Sequence, residues 1–491
     1  MRLPFRKSAT SVKVPTDTVL PLNYIDGQKL ARGIRLHVIF RFDDVLDAEK
    51  LRGAFARLLE MEGWRKLGAR LRINSKGKLE YHLPAKFSED RPSFIYSYQH
   101  FGFSITDHPV GSRIPRGGEQ PMISDGATEF EPLLGDPRVP RDYKEWAKSD
   151  MPQLGLRIVT FTDATCMSVT FLHSLSDAMG LAAIMRAWVA ILHGKEEDVP
   201  PFACFDTDPM MATLKKPAPR SVLSDKILRG FPRLVFGICA RLDSFWHKGE
   251  SRVIFLPAEK LQQMRQDALN ELAAQNPSAD KKPFISENDI LSAWWARTLL
   301  RIAQPSGSRS LSITNAVDCR GHLAEMGLIQ SSEGLVTNAV TSCWTVLPVR
   351  QVLEEPLSSV ALQIRKDLEQ QRTVEQFRAH MAELKDSYDK SGFPVIVGNP
   401  RMKLLAISNW QRARFFTLDF SPAVIKAETP LEKRDTKLGR PSYISCAMNT
   451  RGIPLANGGI VIGKDTKGNW WFSIRLRREY WAGVEQQLRE I

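Results

Sequence analysis

The stretch over residues 156–192, LRIVTFTDATCMSVTFLHSLSDAMGLAAIMRAWVAIL, decides the fold. Residues 156–161 and 167–172 are β-branched and apolar runs separated by Thr162-Asp163-Ala164-Thr165, so they read as two strands of a hairpin. From Met179 onward, Ala182, Ala183, Met185, Trp188, Val189 and Leu192 recur at helical spacing until Gly194 ends the helix. The order is strand, short turn, buried helix, and the turn holds His173-Ser174-Leu175-Ser176-Asp177. A histidine at a strand end, with a helix starting four residues later, projects into a cleft rather than into the core. The positive end of that helix disfavours imidazolium, which keeps the ring neutral and able to accept a proton. That suits a general base. The HxxxD spacing itself carries little weight, since about one chance match is expected in two chains of this length. Standing alone, the motif more often means a hydrogen-bonded core histidine with Asp177 capping the helix.

Outward from this segment the chain alternates strands and helices. Residues 36–42 read as a strand and 48–62 as an amphipathic helix, while 71–73 and 79–83 flank a turn as a second hairpin. Periodicity fades over 103–140, which reads as mostly loop. Residues 195–221 are rich in Pro, Asp and Lys and read as a linker, so the expected division is 1–200, a crossover at 201–250, and 251–491. In the second half, 253–256 opens a strand and 257–271 a helix, and Ser286 with Asp289 caps a further helix over 290–302. Strands are expected at 311–317, 339–346 and 406–408, one long helix over 357–388, a hairpin of 459–463 with 470–474, and a closing helix from 479.

Composition excludes several classes. With 491 residues, 43% of them hydrophobic and 25% charged, the chain has the balance of a globular protein of two or three domains. A net charge of +13 favours anionic partners, but the excess is scattered. Its densest pieces, Lys281-Lys282 and residues 475–478, are too short for a nucleic-acid arm, so a phosphate-bearing small molecule is the more economical partner. The six cysteines lie far apart without a CxxC pair and read as free thiols in a reducing compartment, hence a cytoplasmic protein. Residues 1–20 hold no apolar core of signal-peptide length, and residues 231–240, the most apolar run, are too short to span a bilayer. There is no HExxH or Cys/His cluster, so no metal is expected.

Further segments now give the histidine a context. Pro21-Leu22-Asn23-Tyr24-Ile25-Asp26, the HxxxD turn, Ser286 to Trp294 (SENDILSAW), Val317-Asp318-Cys319-Arg320, Thr337-Asn338-Ala339-Val340, and Ser408-Asn409-Trp410 followed by Leu418-Asp419-Phe420 occur in that order. In this the chain resembles the BAHD family of HxxxD acyl-CoA acyltransferases, and especially its fungal branch of trichothecene O-acetyltransferases. The glycine that follows HxxxD in the family is Ala178 here, and its DFGWG survives only as Asp419-Phe420-Ser421-Pro422. Leu172 stands where the related peptide condensation domains carry a second histidine.

The resemblance implies an α/β fold of two chloramphenicol-acetyltransferase-like domains with mixed sheets and an active-site channel between them. His173 would act as general base on an acceptor hydroxyl that attacks the thioester of acyl-CoA, with acetyl-CoA the expected co-substrate and no permanently bound cofactor. Asp177 would orient the loop through an ion pair. Ser408 and Trp410 would both donate to the oxyanion. Asp419 and Arg320 would form the family's inter-segment ion pair. A monomer acting on a small hydrophobic specialised metabolite follows, without nucleic acid or a transmembrane segment. An amine acceptor, a cyclisation, or a non-catalytic binding protein on the same scaffold stays open.

Overall fold

The second run of the hairpin forms the strand Thr165–Leu172, buried along its whole length. The computed structural model, which describes residues 13–275, 283–427, 436–450 and 457–490, places it in the middle of a five-stranded mixed sheet. Lys281-Lys282 and residues 1–12 lie outside the described residues. Arg35–Phe42 and Gly155–Thr160 flank the strand, both antiparallel to it. Tyr443–Asn449 adds beyond the first and Ile95–His100, parallel, beyond the second.

The helices Ala48–Glu60 and Ala178–Leu192 pack together on this sheet, with Phe55 and Trp188 ring to ring at 4.8 Å. Asp47 starts the first helix by accepting the backbone N–H groups of Glu49 and Lys50, which a helix end would otherwise leave without partners.

A second mixed sheet has the strand order Val340–Pro348, Ser310–Asp318, Lys403–Asn409, Gly458–Lys464, Trp470–Arg477, Gly249–Leu256, Met122–Asp125. Ser310–Asp318, Lys403–Asn409 and Gly458–Lys464 run parallel and the other joins are antiparallel. The helices Ala258–Gln275, Glu287–Ala303 and Leu357–Gln371 cover it around a core that includes Trp294, Trp295, Trp470 and Trp481. Ser286 and Asp289 close a reciprocal cap at the start of Glu287–Ala303, and the Asp289 carboxylate also receives Arg365.

Three strands cross the divide between the halves, Val424–Ala427 by pairing with Asp44–Leu46. Tyr443–Asn449 completes the first sheet from the far end of the chain, and Met122–Asp125 edges the second from within residues 103–140. The tetrapeptide MISD has no periodicity of its own, and pairing with Gly249–Leu256 makes it a strand. Gly126 lets it turn away there, because a Cβ would sit 2.2 Å from the Ser251 carbonyl oxygen.

Two further elements differ from expectation. Residues 357–388 are not one helix but two, Leu357–Gln371 and Val374–Ser391, broken where Thr373 takes an extended backbone and its hydroxyl accepts the Gln376 N–H. The crossover at 201–250 contains a 17-residue helix, Gly230–Trp246, none of whose residues is buried.

Candidate active site

The main chain turns out of the first sheet immediately after Leu172, and His173 fixes that exit by donating its backbone N–H to the Ile34 carbonyl at 2.8 Å. Its side chain keeps partial access to solvent, while Nδ1 is buried and has no hydrogen-bond partner among the described residues. Burial lowers the ring's pKa below the usual value near 6.5, only partly opposed by its own backbone, Asp177 and Asn338. The imidazole is therefore neutral at neutral pH.

Asp177 points the other way. It caps the helix Ala178–Leu192 by accepting the Gly180 N–H at 2.8 Å. Its second oxygen accepts the Ala339 N–H at 2.9 Å, and Arg320 grips both oxygens, at 2.9 and 3.2 Å. Burial alone would raise the pKa of this carboxyl, but Arg320 and the two backbone donors reverse the effect and hold it below the usual carboxylate range. Arg320 also donates to Asp318 and to the carbonyls of Leu335 and Thr337, so one guanidinium binds the helix start to residues 335–339.

The same junction explains Gly180. A Cβ on this residue would lie 2.0 Å from the Val336 carbonyl oxygen, which also accepts the Ser176 hydroxyl at 2.9 Å. The helix and the 335–339 segment touch backbone to backbone, so the residue at 180 has to be glycine, whereas Ala178 is tolerated in the helix's first turn.

Asn338 is a site residue that the sequence reading assigned no role. Its side-chain N–H groups donate to the His173 carbonyl and to Asp26, both at 2.7 Å, and its backbone N–H also reaches Asp26. Tyr81 donates to the neighbouring Ser174 carbonyl at 3.0 Å. Asp26 and Asn338 are both buried and satisfy each other, which only the folded structure reveals.

The Arg320–Asp419 pairing is not formed. Asp419 accepts the Ser421 N–H at 2.9 Å, and its backbone carbonyl receives His193 Nε2 at 2.9 Å. The reason is distance along a rod: Asp177 and His193 cap opposite ends of the 15-residue helix Ala178–Leu192, about 22 Å long at 1.5 Å per residue. Arg320 is bound at one end and Asp419 at the other.

Ser408 and Trp410 lie at the end of the strand Lys403–Asn409, where the Trp410 N–H joins the Val461 carbonyl. They meet each other rather than standing side by side as two free donors. The Trp410 indole N–H donates to Ser408 Oγ at 3.0 Å, which leaves the serine hydroxyl hydrogen available. The indole is buried and packs edge-on against Phe415 at 6.1 Å. Arg186, on the helix that follows HxxxD, donates to the Ala413 carbonyl and ties the two segments together. No hydrogen bond among the described residues joins Ser408 or Trp410 to His173.

The site thus holds a half-buried neutral histidine, a carboxylate turned away into a structural clamp, and a hydroxyl held by an indole. The Transferase family model matches residues 132–442, and the chain belongs to that family, the HxxxD acyltransferases also called BAHD. The acetyltransferase sphE of Aspergillus fumigatus is 44% identical over 500 residues, covering 98% of this chain and 97% of its own. The O-acyltransferase pboC of Aspergillus ustus is 39% identical, covering 93% and 96%. A protein of Penicillium decumbens that carries the name transcriptional regulator calD is 34% identical, covering 99% and 98%. Among solved structures, TRI101 of F. sporotrichioides, in complex with coenzyme A and T-2, superposes with a TM-score of 0.64 at 17% identity, over 96% of this chain and 97% of that one. The two mixed sheets are thus the two-domain fold of this family, and the protein is an acyltransferase.

Proposed function

We propose that the protein transfers an acyl group, acetyl in the first instance, from acyl-CoA to a hydroxyl of a small hydrophobic metabolite. The observation that carries this reading is the separation of roles within HxxxD: every bond of the Asp177 carboxylate goes to Arg320, Ala339 and Gly180, and the His173 ring is left neutral with Nδ1 unpartnered among the described residues. His173 takes the proton of the acceptor hydroxyl as its oxygen attacks the thioester carbonyl. The tetrahedral oxyanion accepts the Ser408 O–H, and Trp410 holds Ser408 in the rotamer that donates. Collapse breaks the C–S bond, and the proton on His173 passes to the CoA sulfur, so no covalent acyl-enzyme is needed.

Coenzyme A beside the acceptor T-2 in TRI101 supports the donor and the small hydrophobic acceptor, and pboC supports an oxygen acceptor. The excess of basic residues suits the phosphates of CoA. We place the enzyme in the cytoplasm as a monomer, with residues 1–200 supplying the base and 251–491 the oxyanion donor. In the described residues all six cysteines are free thiols, as a reducing compartment requires.

Incubation of the protein and acetyl-CoA with a metabolite extract, read by mass spectrometry, tests this. The expected product gains one acetyl group that mild base removes, as an ester allows and an amide does not. A base-stable product means an amine acceptor. The name carried by calD favours a second reading, a non-catalytic binding protein; no product from any acyl-CoA, together with no rise in Tm on adding CoA, would rule out CoA-dependent transfer and leave that reading.

A further inference from the structure

The helix Gly230–Trp246 has its amphipathicity turned outward. Its protein-facing side is held by polar contacts along its length: Arg233 donates to the Ser387 hydroxyl at 2.7 Å and to the Pro394 carbonyl at 2.9 Å, Asp243 receives Arg477, and His247 at the C-cap meets Glu479 at 2.6 Å. The opposite side is apolar. Phe231, Leu234, Ile238, Leu242 and Phe245 recur at intervals of three or four residues, which places them on one face, and Trp246 adjoins it. Phe231 is 75% exposed, Phe245 79% and Trp246 73%. Phe393, next to the Pro394 that receives Arg233, is half exposed as well. A contiguous apolar face of this kind on a soluble-type fold marks an interaction surface.

We propose that this face is a membrane-surface anchor, lying in the plane of an anionic bilayer. No helix among the described residues is long and apolar enough to cross a membrane, so the mode is interfacial. Charge selects the occupant. Lys226 and Arg229 are exposed at the N-terminal end, with Asp225 exposed beside them and Arg229 paired to Glu383, and Arg241 in the second half of the helix and Lys248 just after it are exposed as well, on a chain of net charge +13. Asp243, the acidic residue of the helix, is turned inward onto Arg477. An anionic lipid surface meets basic residues at both ends while the aromatic rings enter the headgroup boundary. A second copy of the helix would set basic end against basic end whether it packed parallel or antiparallel. The inference does not depend on the reaction proposed for His173, which makes none of the contacts printed for this helix. It does fit an acceptor that partitions into lipid.

Sedimentation of the full chain with sucrose-loaded vesicles tests the anchor, using phosphatidylcholine alone and phosphatidylcholine mixed with phosphatidylserine. Binding to the mixed vesicles is expected, reduced by high salt, and reduced about tenfold or more by Phe245→Glu/Trp246→Glu. Leu234→Glu/Ile238→Glu, on the same face but two turns away, should act alike. Both variants should keep the wild-type Tm and CoA response, because none of the four side chains is buried. Equal sedimentation of wild type and variants with every vesicle overturns the proposal. So does a concentration-dependent dimer in light scattering that the same variants abolish without any vesicle binding, which would make a second copy the occupant.

Discussion

The helices Ala178–Leu192 and Gly230–Trp246 are near equals in length and both rich in apolar residues, yet one is sunk in the core and the other buries nothing. What separates them is the chain at their ends. Asp177 caps the first and is itself clamped by Arg320, Ala339 and the helix's own Gly180, so the helix start is welded to the 335–339 segment and its apolar face has to pack inward. The second has no side-chain cap at Arg229, and its polar residues Arg233 and Asp243 find partners in the protein. A similar stock of apolar residues therefore builds a core in one place and a contact surface in the other, according to which polar groups are satisfied inside.

The comparison breaks most readily at the clamp. Asp177→Ala leaves Arg320 buried with only Asp318 as counter-charge, and Arg320→Ala leaves Asp177 uncompensated, so each should cost about 3–5 kcal/mol. Urea titration should show it as a lower midpoint at unchanged slope. The double change to apolar residues should cost less than the sum, because no orphan charge remains. A cost below 1 kcal/mol for either single change would mean that the clamp does not hold the helix.

A smaller effect comes from neutral histidines in the interior. Burial lowers His37 to about 3 and His380 to about 4, against 6.5 when unfolded. Above pH 6.5 neither state takes up the proton and these groups contribute nothing against folding. Between 6.5 and the folded values only the unfolded chain binds it, so stability falls as pH falls. At pH 5 each should have removed about 2 kcal/mol relative to pH 7.5, at 1.36 kcal/mol per unit. His37→Gln should flatten that decline, and an unchanged slope would contradict the buried neutral ring.

The outer helix should be the least sensitive. Ile238→Ser and Leu242→Ser expose no cavity and break no bond, so Tm should imply a change within about 0.5 kcal/mol. A loss of 2 kcal/mol or more would show that this face packs on the protein and would erase the contrast.

What could be read in sequence follows the same division. Residues 36–42, 156–161 and 167–172 were legible as strands because β-branched, aromatic and aliphatic residues dominate each run. Met122–Asp125 was not, since a four-residue edge strand is defined by its partner and not by its own pattern. The break at Thr373 was readable in principle, because Thr followed three residues later by Gln is a helix-start signature. His173, Asp177, Ser408 and Trp410 were singled out through motif order, and their roles are proposals. The partner of Arg320 was not, because nothing in a linear sequence tells which end of a 15-residue helix a distant arginine reaches. Asn338 was passed over because a polar residue that supports a main-chain carbonyl leaves no spacing pattern behind.

The central claim is that His173 does the chemistry while Asp177 holds the scaffold. Steady-state turnover of His173→Ala with acetyl-CoA and the acceptor, beside its Tm, tests this most directly. The account predicts turnover lower by roughly 100-fold or more, the scale of a lost general base, with Tm and CoA binding close to wild type. Turnover within a few-fold of wild type in a folded, CoA-binding variant would contradict it.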